Sequence, residues 1–173
     1  MEALEAILGR RSVRKFTEEL VPEEKVESLL RAAMAAPSAH NEQPWVMIVI
    51  RDRGLLEKIA AAQPDGRMTA RAQVAVLICA DMRLVTNEGF WVQDCAAATQ
   101  NLLVAAHALG LGAVWVGTYP RESLVAAMSA LFQLPGHIVP FALVPIGHPG
   151  EKPPLADRFD EGRVHLDGYE EER

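Results

Sequence analysis

Short apolar runs alternate with stretches of helical period along the chain. WVMIVI (45–50) and VAVLICA (74–80) are continuous apolar runs of strand length, the pattern of strands covered on both faces. AVWVG (113–117) and IVPFALVPIG (138–147) predict two more strands; the prolines of the last fit best near a sheet edge or at the strand ends. Residues 2–8 predict a short helix with Leu4, Ile7 and Leu8 on one face. Over 22–36, Val26, Leu29, Leu30, Ala33 and Met34 keep the 3.6-residue period. Pro22 suits the first position of that helix, Glu23 and Glu24 its first turn, and Pro37 stops it. Asp52 can cap a helix over 53–62, which the Pro-Asp-Gly turn at 64–66 ends. Pro120 opens a helix through Phe132, with Leu124, Val125, Met128 and Leu131 inward.

Residues 90–109 form the longest helix. It is alanine-rich and apolar nearly all round, so it needs burial on most sides. Gly110 and Gly112 stop it. Residues 149–173 change character, with eight acids against four bases, three prolines and few apolar side chains, and cannot build a core of their own. The alternation implies one domain, α+β or α/β, with about four strands and helices packed on them. Two copies of the chain would explain both the all-apolar helix, as an interface, and the tail, as a wrap around the partner. A homodimer is therefore expected.

Net charge narrows the function. At −6 the chain lacks the basic surface that nucleic-acid binding needs. No apolar stretch approaches a membrane span. In MEALEAILGRR the arginines follow the apolar residues, the reverse of a secretory signal, so a cytoplasmic location is expected. Cys79 and Cys95 form no CxxC pair, and the five histidines are scattered, so no metal site is expected. Gly110-Leu-Gly112 ends a helix and starts a strand, whereas a dinucleotide fingerprint follows a strand and opens a helix.

Three polar patches remain. In RRSVRKF (10–16), Arg10, Arg11, Ser12 and Arg14 offer guanidinium forks and a hydroxyl, chemistry suited to a phosphate monoester. APSAHNEQPW (36–45) brackets Ser38, His40, Asn41 and Gln43 between prolines, a stiff loop able to hydrogen-bond a polyol or a heteroaromatic edge. In WVGTYP (115–120), Gly117 lets a planar ligand approach the backbone. Each patch also has a plain structural reading, as a solvated charge run, a connector or a strand–helix turn.

Taken in order, RRSVRKF, APSAHNEQPW, the alanine-rich QNLLVAAHALGLGAVWVG, PIGHP and a late arginine resemble the nitroreductase family of flavoproteins, from about Leu4 to His165. The resemblance implies an α+β fold in three layers, α-β-α, spanning 1–173. It would have a central, mostly antiparallel sheet, a long central helix and a tail over 150–173 packed on the partner subunit. It implies FMN as cofactor, with Arg10, Ser12 and Arg14 on the phosphate and ribityl chain, Arg11 beside them, and Arg158 reaching the phosphate. Pro37, Ser38, Ala39 and Asn41 would come from the other subunit, and Val116 and Gly117 would lie near the isoalloxazine. NADH or NADPH would pass a hydride to flavin N5 and leave, and a nitroaromatic, quinone or similar acceptor would take its place. That ping-pong scheme assigns no catalytic side chain. A flavin carrier or sensor without turnover, and an oxygen-dependent member of the same fold, are alternatives. Only about ten residues, Asp81–Phe90, join the second strand to the long helix, where larger members carry extra helices. That segment, with Phe90 or Trp91, is expected to line or gate the pocket.

Overall fold

The computed structural model describes residues 1–169. The last four residues, 170–173, are the end of the expected partner-wrapping tail and lie outside the described residues. Helices α1 (Ala3–Gly9) and α2 (Glu23–Met34) precede strand β1 (Trp45–Ile50) and helix α3 (Arg53–Ala62). Then follow β2 (Val74–Asp81), α4 (Trp91–Ala108), two short strands β3 (Gly112–Ala113) and β4 (Val116–Gly117), α5 (Glu122–Phe132) and β5 (Ile138–Gly147).

The sheet runs β1-β2-β5-β3, with β4 also on β5, and every one of these pairs is antiparallel. Alternation along β2 separates two cores. Val74, Val76, Ile78 and Ala80 face α2 and α4, while Ala75, Leu77 and Cys79 face α3 and α5. The architecture is the expected three-layer α-β-α arrangement.

Three expectations need correction. The Pro-bearing strand β5 is central, not an edge. Pro140 is tolerated beside the register shift at Ile78/Cys79, and Pro145 lies opposite the interruption between β3 and β4, where no neighbour calls for its missing N–H. The predicted strand 113–117 is split, with Val114 and Trp115 unpaired between its halves. Pro22 is the cap residue of α2, and Pro120 precedes α5 by two residues, so neither occupies a first helical position. Leu4, Ile7 and Leu8 are 72, 52 and 71 % exposed; within the chain α1 buries only Ala6. The apolar face of α1 is real but points outward.

Asp52 caps α3 as expected, its carboxylate accepting from Leu55 N at 2.8 Å. The end of α4 is a Schellman turn: Gly110 has φ +75° and Leu111 N donates to Ala106 O at 2.8 Å. Gly112 has a different reason to be glycine, since a Cβ there would lie 2.6 Å from Val13 Cγ1. That contact lets the 10–14 segment lie along the sheet, with Ser12 bridging Ala113.

Candidate functional site

The arginine segment leaves α1 and is sealed by the start of the tail. Gly150 N donates to Lys15 O, and the Glu151 carboxylate accepts from the backbone N–H groups of Arg14 and Lys15 at 2.7 and 3.1 Å. Arg11 donates to Pro154 O and Ala156 O on one side and to Leu8 O and Arg10 O on the other. Its donors are thereby engaged by carbonyls of the fold.

Arg10 is different. Its Nε is buried and has no hydrogen-bond partner among the described residues. Burial, then the neighbouring charges of Arg158 and Arg11, lower its pKa from the ordinary value. Three guanidinium groups thus crowd together, and a bound dianion would relieve the repulsion. Arg10 and Arg158 line one open groove of about 700 Å³ between α1 and the tail, with Ile7 and Phe159 as apolar walls and Glu5 and Asp157 at its margins. Arg14 is exposed, and its guanidinium makes no hydrogen bond or ion pair among the described residues.

Val116 and Gly117 sit further along the same sheet edge, on β4. Thr118 N donates to Phe141 O, so by antiparallel alternation Gly117 and Ala142 form a non-hydrogen-bonded pair. Both polar atoms of Gly117 therefore face away from β5. Its carbonyl accepts from Gln63 Nε2 at 3.0 Å and Arg121 Nη2 at 2.7 Å; its N–H is not used by the ladder. A Cβ added at Gly117 would meet nothing within 4 Å. The strand face at Gly117 is open to a flat ligand.

The loop carrying Pro37, Ser38, Ala39 and Asn41 is braced by hydrogen bonds of its own and by one to α4. His40, Asn41 and Gln43 hold φ of 51, 58 and 48°, a left-handed conformation that side chains rarely adopt. Ser38 Oγ accepts from Gln43 N, Asn41 Oδ1 from Gln43 Nε2, and Asp94 Oδ1 from Ala39 N at 2.9 Å.

Asp94 lies in the first turn of α4, whereas Gly9, just before the arginines, lies against His107 in its last turn. At about 1.5 Å of rise per residue these anchor points are about 20 Å apart. Within one chain, the polar loop and the arginine segment stand at opposite ends of α4.

A family model described as the nitroreductase family matches residues 7–78 and 62–148. The chain belongs to the nitroreductase family. It is 50 % identical over 169 residues to a Methanothermobacter thermautotrophicus protein named NADH dehydrogenase/NAD(P)H nitroreductase, covering 98 % of this chain and 88 % of that one. It is 30 % identical to the oxygen-insensitive NADPH nitroreductase of Salmonella typhimurium, covering 96 % of this chain and 74 % of the relative. A nitroreductase from Desulfovibrio desulfuricans solved in complex with FMN superposes with a TM-score of 0.85 at 33 % identity, covering 98 % of both chains.

Several residues of this nitroreductase site carry no motif that would expose them. Asp94 is 5 % exposed and its Oδ2 has no partner among the described residues; its only signal is that it is the one acid of α4. Glu42, inside the polar loop, accepts through Oε1 from Thr86 N and Thr86 Oγ1, fastening the 82–90 segment to that loop. Gln63, wholly buried, and Arg121 lie on turns with nothing to mark them. Trp91 is buried, stacked edge-on against Tyr119 at 4.7 Å and Phe141 at 6.1 Å, while Phe90 is exposed. No helix among the described residues is long and apolar enough to cross a membrane.

Proposed function

We propose that this nitroreductase binds FMN between two copies of the chain and acts as an NAD(P)H-dependent oxidoreductase on a nitroaromatic, quinone or similar acceptor. Arg10 carries the reading: a buried guanidinium Nε without a partner, crowded by Arg158 and Arg11, is a place prepared for a phosphate. When bound, FMN would supply the redox chemistry that links NADH or NADPH to the acceptor.

The chain's own residues bind, orient and exclude water. Arg10 and Arg158 neutralise the terminal phosphate, with Arg14 and Ser12 free to join them. Arg11 holds the tail so that Arg158 stays in reach. The Gly117 N–H and the bare Cα beside Val116 offer the ring edge a donor and a flat approach. A second copy, turned end for end along α4, supplies Pro37, Ser38, Ala39 and Asn41, because no single chain brings that loop to the arginines. The outward Leu4, Ile7 and Leu8, and the exposed Leu155, Phe159 and Leu166 of the tail, are the apolar surface such a partner would cover. A single domain over 1–173 and a cytoplasmic location belong to the same reading.

The test is direct. Purified protein dialysed against FMN should turn yellow and, mixed anaerobically with NADH or NADPH, bleach within minutes. Protein that stays colourless overturns the reading, and a retained flavin that neither nicotinamide bleaches leaves a carrier in place of a reductase. Light scattering should give twice the chain mass; a stable monomer that still binds FMN would remove the shared site.

A further inference from the structure

The carbonyl of Gly117 is held from two sides by groups from two different elements. Gln63 reaches it from the turn after α3, and Arg121 from the residue before α5. Arg121 is in turn fixed by Asp65, whose Oδ2 accepts from Nη1 at 2.7 Å. A glycine without this clamp has the widest backbone freedom of any residue, and its N–H direction would wander with it. A carbonyl taken by one neutral and one charged donor, the latter the stronger, has little freedom left. Gln63 is buried, whereas Arg121 and Asp65 are roughly half and two-thirds exposed. The pair sets a cation and an anion together beside Gly117.

We infer that Arg121 and Asp65 are positioning residues for the flavin edge, clamping Gly117 and balancing the charge felt by a ring bound there. The inference rests on the reading that Gly117 meets the flavin. Reduction places electron density on the ring. A lone cation beside it favours the reduced form, and a lone anion the oxidised form. Together the two cancel; with either removed, the other acts alone.

The experiment is a dye-equilibrated redox titration of the FMN-reconstituted protein. Arg121→Gln, which leaves Asp65 uncompensated, should shift the reduction equilibrium about threefold toward oxidised flavin, about 15 mV for a two-electron couple. Asp65→Asn should shift it by a similar factor toward reduced flavin. The double variant should return near the starting value, and Arg121→Lys, which keeps the charge, should move it least. A purely structural pair would shift both single variants the same way or neither, and either result would overturn the inference. If Arg121→Gln does not retain FMN, the sign of the Asp65→Asn shift decides alone. Starting protein that takes up no FMN would instead bring down the flavin reading itself, an outcome recognisable before any variant is made.

Discussion

Ala39 donates its backbone N–H to the buried Asp94 carboxylate at 2.9 Å, tying the polar loop to the first turn of α4 across 55 positions of sequence. The loop on the far side of that bond holds three side-chain-bearing residues in left-handed conformation, which costs free energy that the anchor must offset. Asp94→Ala should therefore lower stability by about 1–3 kcal/mol, read from denaturant unfolding. Asp94→Asn, which keeps an acceptor, should lose less. FMN affinity should fall in the same order.

The two glycines of the sheet edge separate fold from function. Gly112→Ala puts a Cβ 2.6 Å from Val13 Cγ1 and should destabilise the chain by about 1–3 kcal/mol. A Cβ at Gly117 meets open space on a strand, so the melting temperature of Gly117→Val should stay close to the starting value. Its FMN affinity should drop at least tenfold by fluorescence titration. Equal losses of stability in both variants would contradict this division.

The arginines divide in a similar way. A charge-assisted hydrogen bond contributes about 1.5–3 kcal/mol, so Arg10→Ala should weaken FMN by one to two decades. Arg14→Ala should act in the same direction. Arg11→Ala, which frees Pro154 and Ala156, should show itself first as faster proteolysis of the tail, with the loss of FMN following from a displaced Arg158.

Among the described residues, acid stability has one identifiable contributor. The hydrogen-bonded Arg83 guanidinium holds the Asp81 carboxyl down at about 2. A carboxylate depressed in the folded state stabilises it above the unfolded pKa near 4, and the effect is lost as pH falls through about 2. Urea midpoints measured between pH 5 and 2 should therefore fall for the native chain. Arg83→Met should remove this part of the slope.

Much of the fold was legible because strong periodicity leaves few choices. The strands at 45–50 and 74–80 and the helix ending at Gly110 follow from local pattern alone. Pro140 and Pro145 misdirect because their tolerance depends on what the neighbouring strands do, a bulge in β2 and a gap between β3 and β4. Leu4, Ile7 and Leu8 form the face they predict, yet no element among the described residues covers it. Arg10, Arg11 and Arg14 stand out because they fall within five residues, and Gly117 because of the strand–turn around it, whereas Arg158 meets Arg10 from the far end of the chain. Gln63 reaches Gly117 across 54 positions, and Asp65 reaches Arg121 across 56. Such partnerships are set by how turns meet in space, and nothing local announces them.

On the proposed two-copy reading, each chain carries two unlike halves of a pocket at opposite ends of one helix, so damage to one half need not silence an assembly. In a mixed pair made from an Arg10→Ala chain and a Gly117→Val chain, both defects fall in each chain's own sheet-edge half, and neither pocket recovers. Pair Arg10→Ala with a chain defective only in the Ser38–Asn41 loop, and one pocket inherits both lesions while the other inherits none. Two silent parents would then yield a heteromer with half the native flavin content.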